Sequence, residues 1–199
     1  MHKIEKIQKQ IEFIAEIDKL KGVLRQTSPI GMERRENSAE HSWQVVLCAI
    51  VFSEYANEKI DLLKVVKMLA LHDIVEVDVG DTFHYHKTNI KDLHQQELAA
   101  AERIFGLLEK PQFEEYLSLW KEFEERKTPE ATFSAAIDRI IPMIINSKSN
   151  GGNWIRNNIT LELALEKNSH IQDGSKVLWE MAQKILRESD ASGYMHNSG

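Results

Sequence analysis

At 199 residues, 42% of them hydrophobic and 28% charged, the chain is long enough to bury one sizeable core, and this composition excludes a disordered or membrane protein. The formal net charge is −6 and no run of Lys and Arg stands out, which excludes a large nucleic-acid footprint. The longest apolar run, VVLCAIVF at 45–52, falls far short of the ~20 residues of a membrane span, and the single cysteine, Cys48, supports neither a disulfide framework nor a cysteine-based zinc site.

In chain order the periodicity is helical nearly everywhere. Residues 3–20 place Ile4, Ile7, Ile11, Phe13 or Ile14, and Ile17 roughly on one stripe of an amphipathic helix. The segment has no small-residue cleavage site, so no export is expected and a reducing cytoplasm fits best. After a loop holding Ser28, Pro29 and Gly31, Asn37 reads as an N-cap, with Glu40 completing a capping box. The helix that follows runs to about Asn57. Its middle is apolar on all sides, which predicts a central, buried helix.

Asp61 caps a third helix, through about Asp73, and Gly80 marks the turn after it. IVEVDV (74–79) alternates over too few residues to establish a strand. Amphipathic helices follow at 92–108 and 112–127, separated by Pro111. The next helix, 130–147, carries Phe133, Ile137, Ile140, Ile141, Ile144 and Ile145 at three-and-four spacing. A polar loop at 146–154 and helices at about 159–168 and 173–188 complete the chain. The expectation is an all-α, single-domain helical bundle over 1–188, with 189–199 a frayed, disordered tail.

Against this background MLALHDIVEVDVGDTF (68–83) is unusual, because an imidazole and four carboxyls leave an apolar run directly and burying a lone charge is expensive. His72 follows Val65 and Leu69 on the buried stripe of its helix, Asp73 lies about 100° round the axis, and Glu76 extends the stripe if the helix continues. His41, in the first turn of its helix, sits above Val45, Cys48 and Phe52 and points inward. Asp138 borders the apolar stripe of its own helix, four residues before Pro142, which removes the hydrogen bond the Asp138 carbonyl would accept and predicts a kink. A single inward His is more often a core residue and a single Asp more often a cap. Two imidazoles and two carboxylates directed at the core from three helices are reconciled by one divalent cation, Mn, Fe, Co, Ni, Zn or Mg.

A His near a helix start, a His-Asp pair 31 residues on and an Asp 65 beyond the pair resemble the ligand order H…HD…D of the HD-domain metal-dependent phosphohydrolases. ENSAEHS (36–42), HDIVEVDVGD (72–81) and LWKEFEER (119–126) resemble the branch containing the 5'-deoxynucleotidases, a likeness running from about residue 11 to about 186. The resemblance implies metal ligands His41, His72, Asp73 and Asp138, and active-site acids Glu76 and Asp81. Through LKGVLR it implies Arg25 as the group that grips the substrate phosphate. Residue by residue, Arg25 reads equally well as a solvated surface side chain. The implied activity is hydrolysis of a nucleoside 5'-monophosphate, with a phosphodiester, triphosphate or alarmone substrate, or a structural metal in a non-catalytic module, as rivals. The sequence departs from the branch after Arg25, reading QTSPIG where relatives carry a sugar-selecting Trp.

His84, His86 and His94 read as surface or rim histidines and Lys87 as a solvated lysine, while Trp43, Trp120, Trp154 and Trp179 read as core or interface. The implied partner is a small-molecule nucleotide, with no nucleic-acid polymer and no membrane. Relatives of this kind are often homodimers, and the aromatic helix at 112–127 offers either a dimer surface or intramolecular core.

Overall fold

In the computed structural model, which describes residues 3–82, 84–85 and 90–196, five of the helices begin at a side-chain cap. Helix α1 covers Lys3–Ile17. Helix α2 (Ser38–Phe52) starts at the capping box of Asn37 and Glu40, and α3 (Leu62–Leu71) starts at Asp61, whose carboxylate accepts from the N–H groups of Leu63 and Lys64. A 3₁₀ turn, His72–Val75, carries α3 into the one-turn helix α4 (Glu76–Val79), which ends at Gly80 with φ +75°. The short alternation at 74–79 is therefore helical. Helices α5 (Ile90–Phe105), α6 (Lys110–Glu125) and α7 (Pro129–Lys148) follow, then α8 (Gly152–Arg156), α9 (Leu161–Asn168), α10 (Ile171–Gly174) and α11 (Lys176–Ala191). Among the described residues no extended strand occurs, only a bridge between Leu24 and Asn37. The all-α expectation holds.

The central helix is α7, not α2. Twelve of its residues are buried, and it packs against α2, α3, α6, α10 and α11. Phe133, Ala136, Ile137 and Ile140 meet Val65, Met68 and Leu69 of α3, Phe105 of α5 and Trp120 of α6 in one core. Each large aliphatic or aromatic side chain removed from water there contributes roughly 1.5–3 kcal/mol before entropy is counted. Helix α7 remains helical through Pro142, and Asn146 donates its side-chain amide to the Pro142 carbonyl.

By contrast α2 buries only Ser38, His41, Val45 and Ala49, and leaves Trp43 66% and Val51 65% exposed. Apolar residues all round a helix state that it avoids water. They do not state that this chain covers every face. The same holds for α1, where Phe13 is buried while Ile4, Ile7, Ile11 and Ile14 are exposed. The aromatic helix α6 instead puts Leu119, Trp120 and Phe123 into the core, the intramolecular choice of the two open readings.

At the C-terminus, α11 extends past residue 188, Met195 is 5% exposed, and the His196 N–H donates to the Ile159 carbonyl. Of the tail expected from 189, residues 192–194 bond back to α11, Met195 and the His196 N–H meet the loop after α8, and 197–199 lie outside the described residues. No helix among the described residues is long and apolar enough to cross a membrane.

Candidate metal centre and active-site cleft

Two local backbone features assemble the site. The chain folds back on itself between Val23 and Ser38: the Arg25 N–H donates to Glu36 O, the Glu36 N–H to Thr27 O and the Ser38 N–H to Val23 O, each at 3.0 Å. This pairing seats Arg25 beside Glu36 and delivers the chain to the Asn37 cap, which sets His41 facing inward one turn into α2. On the other side, the 3₁₀ turn after α3 points His72 and Asp73 toward α7.

The imidazoles of His41 and His72 lie with ring centroids 5.8 Å apart. His41 Nε2 is 2.8 Å from Asp138 Oδ1 and 3.9 Å from Asp73 Oδ2, and His72 Nε2 is 3.0 Å from Asp73 Oδ1 and 3.5 Å from Asp138 Oδ1. Donor atoms of His41, His72 and Asp138 all fall within 4.8 Å of one another, and all three residues are buried. Asp73 joins them from the edge nearest the solvent.

The tautomer of His72 tests whether a cation fits. Its Nδ1 lies 2.8 Å from the Leu69 carbonyl, which can only accept, so Nδ1 carries the proton. Nε2 is then a buried lone pair aimed at two carboxylates, with no hydrogen bond of its own. Such an arrangement is repulsive unless a proton or a cation lies among the three groups. In the metal-free protein a proton does so: burial opposes it, but the charges of Asp73 and Asp138 outweigh burial and push His72 up to about 9. His41, by contrast, is pushed down to about 4 by burial and by Arg25, so it stays neutral and able to ligate. Against the cost of burial, Arg139 and the two imidazoles hold Asp138 well below the ordinary carboxylate range. Two neutral imidazoles and two carboxylates suit a divalent first-row ion.

Arg25 is not a surface residue. It is 7% exposed, with Nη1 at 3.0 Å from Asp73, 3.5 Å from Asp81 and 3.8 Å from Glu76, and Nε at 3.4 Å from Glu36. Glu76 has one buried oxygen, Oε2, without a partner, and burial together with the charge of Asp73 pushes it to about 8 against the pull of Arg25. Burial likewise raises Asp81. Gly80, with φ +75°, turns the backbone so that Asp81 faces back into the cleft, a conformation costly for any residue with a Cβ.

Two further residues belong to this site and were not singled out from the sequence. Glu36 is 2% exposed, lies 3.9 Å from His41 Nδ1 and is pushed by burial to about 7. It stands behind the His41 imidazole on the side away from Asp138, too far for a hydrogen bond, and both facing atoms are buried without one. Its only sequence signal was its place in ENSAEHS. Arg139 lines the cleft, places Nη2 3.1 Å from Asp138 Oδ2, and has a buried Nε without a hydrogen bond.

Five carboxyls, those of Glu36, Asp73, Glu76, Asp81 and Asp138, thus face two guanidinium groups. With every carboxyl ionised the site carries excess negative charge, which protons on Glu36, Glu76 and His72 offset in the metal-free protein and a divalent cation would offset in their place. His84 lines the cleft, with Nε2 on the Lys167 carbonyl at 3.1 Å, and Trp154 is buried at its wall. His94 is exposed on α5, while His86 and Lys87 lie outside the described residues. Trp120 and Trp154 are core, and Trp179 packs at its edge.

A buried His–His–Asp cluster joined by a His-Asp pair, mounted on an all-α frame, defines a metal-binding helical domain of the HD type. The family of HD domains matches residues 17–179, and the chain belongs to it. A crystal structure described as a predicted metal-dependent phosphohydrolase from Magnetospirillum magnetotacticum MS-1 superposes with a TM-score of 0.89 at 40% identity, covering 96% of this chain and 99% of that one. Among curated relatives, a protein of Dictyostelium discoideum named 5'-deoxynucleotidase HDDC2 is 28% identical over 65% of this chain and 71% of its own length. The human protein of that name is 25% identical over 54% of this chain, which spans about half of it, 52%.

Proposed function

We propose that this chain is a metal-dependent phosphohydrolase that cleaves nucleoside 5'-monophosphates, deoxynucleotides among them, to nucleoside and phosphate. The observation that carries this reading is the unpaired Nε2 of His72, aimed at Asp73 and Asp138 beside a cleft that also holds Arg25, Glu76 and Asp81. His41, His72, Asp73 and Asp138 would hold one divalent ion. When bound, the ion polarises the phosphate P–O bond and lowers the pKa of a water.

The chain's own groups do the rest. Arg25, fixed by carboxylates on several sides, presents its guanidinium to the phosphate oxygens and offsets charge that grows in the transition state. Glu76, held near neutrality by its burial, is the proton-transfer group at the reacting oxygen, and Asp81 orients the water or the leaving 5'-oxygen. A purely structural ion has no use for Glu76 and Asp81 buried beside it. Gln26 and Thr27 line the cleft next to Arg25 in place of a sugar-selecting Trp, so ribonucleotides are expected to be accepted as well.

The test is phosphate release from a panel of ribo- and deoxyribonucleoside 5'-monophosphates, with a triphosphate, a phosphodiester and an alarmone for comparison. Activity on monophosphates that disappears with chelator and returns with Mn²⁺ or Co²⁺ is the expected outcome. Full turnover in the metal-free protein, or cleavage confined to the comparison substrates, would overturn the reading. A cytoplasmic, reducing setting suits the lone half-buried Cys48, and a homodimer has the exposed apolar face of α2 rather than α6 to bury.

A further inference from the structure

Away from the His72 cluster, His94 and Glu97 stand one turn apart on α5, and Glu124 stands at the end of α6. Their donor atoms all lie within 4.8 Å of one another. The His94 ring is stacked on Trp120, with centroids 6.0 Å apart and planes within 14°, which limits its rotation. Among the described residues, neither Glu97 nor Glu124 makes a hydrogen bond or an ion pair to another residue. Burial and the facing Glu124 push Glu97 to about 7, and burial raises Glu124 despite the charges of Arg126, His94 and His72 around it. Two half-buried carboxylates that face each other need a proton or a cation between them, and an imidazole converging on the same point completes a ligand set for a cation.

We propose that His94, Glu97 and Glu124 form a second divalent-cation site, bridging α5 and α6, of the imidazole–carboxylate kind that takes Zn²⁺, Co²⁺ or Ni²⁺. Ligand atoms about 2.1 Å from a shared tetrahedral ion sit about 3.4 Å apart. Closing the observed spread asks only for rotation of the flexible Glu97 and Glu124 side chains toward the His94 ring that Trp120 holds in place. Three protein ligands leave at least one position for water. Phe123, the neighbour of Glu124, has its ring 5.1 Å from that of His72, so the second ion lies one layer of side chains outside the first centre. The site does not depend on what the first centre hydrolyses.

The experiment measures Zn²⁺ and Co²⁺ stoichiometry by equilibrium dialysis on the full chain and on a His94→Ala/Glu124→Gln variant, both loaded first at the His72 cluster. Wild type is expected to bind one equivalent more than the variant, and Glu97→Gln to weaken that equivalent about tenfold. Equal stoichiometry and affinity in the two proteins would overturn the proposal. Should the double variant fail to fold, the wild-type protein still decides the matter, because the imidazole nitrogen resonances of His94 must shift on addition of the second equivalent of Zn²⁺. Resonances that do not move sink the site.

Discussion

The α7–α10 contact and the cleft beside it are built from one helix and obey opposite rules. At the contact, Gly174 lies so close to α7 that an added Cβ would stand 2.2 Å from the Thr132 carbonyl oxygen and 2.7 Å from Phe133 Cα. Ile171 and Gly174 are buried there, and the Gly174 carbonyl accepts from the Asn57 N–H at 3.0 Å. In the cleft, a few residues further along α7 at Asp138, polar atoms of Arg25, Glu36, His72, Glu76 and Arg139 are buried without hydrogen bonds. One region is satisfied by the chain alone. The other is satisfied only when something is added, and it follows that stability and activity should separate when each region is changed in turn.

The largest separation is expected at Glu76. Glu76→Gln keeps the shape and removes the ionisable proton, so turnover should fall by roughly 10²–10⁴, the usual contribution of a positioned acid or base. Metal content, measured on the purified variant, should stay at the wild-type level because Glu76 is not among the groups converging on His72 Nε2. A variant with normal turnover would remove Glu76 from the chemistry.

Gly174→Ala should do the reverse. The methyl group meets backbone of Thr132 and Phe133, which cannot step aside as a side chain can, and overpacking of this kind costs about 3 kcal/mol. For a chain of this length that lowers the Tm by roughly 6–12 °C. Specific activity, corrected for the folded fraction, should be unchanged. If activity falls while the Tm holds, the two regions are coupled through α7 and the contrast fails.

The same contrast governs what the sequence made legible. His41, His72 and Asp138 could be placed because each sits at a fixed spacing from apolar neighbours on a helix, and three-and-four periodicity states where a side chain points. Arg25 and Glu36 could not be placed together in this way. They meet through a backbone pairing between 23 and 38 that follows no period, so only resemblance nominated Arg25 and nothing nominated Glu36. Arg139 was overlooked because an Arg beside a buried stripe looks like a snorkelling surface residue. Burial of α2 was overestimated for a related reason: composition records an apolar face but not whether anything in the same chain covers it. The helical reading of 130–147 held through Pro142 because dense packing on both sides of α7 outweighs one lost hydrogen bond.

The smallest expected effect is also the most direct test that protons stand in for the cation. In the metal-free fold, burial raises Glu36 to about 7 and Glu76 to about 8, and the carboxylates around His72 raise it to about 9 despite burial. All three hold protons that the unfolded chain releases at lower pH. Their stabilisation is complete below the unfolded values and is lost as pH climbs through about 7, 8 and 9. On the acid side His41, His84 and His170 are pushed down by burial to about 4, 3 and 4, so their contribution is lost as pH falls below the unfolded value near 6.5. Metal-free protein should therefore be most stable near pH 6.5 and weaker at pH 8.5. With Mn²⁺ bound the ion takes the place of those protons, and since its ligands bind it better once deprotonated, the loss between pH 6.5 and 8.5 should vanish or reverse. Urea unfolding at both pH values, with chelator and with Mn²⁺, measures the difference. Parallel slopes in the two conditions would mean that the ion does not replace the protons of the cleft, and the division between a self-sufficient contact and an incomplete site would have to be abandoned.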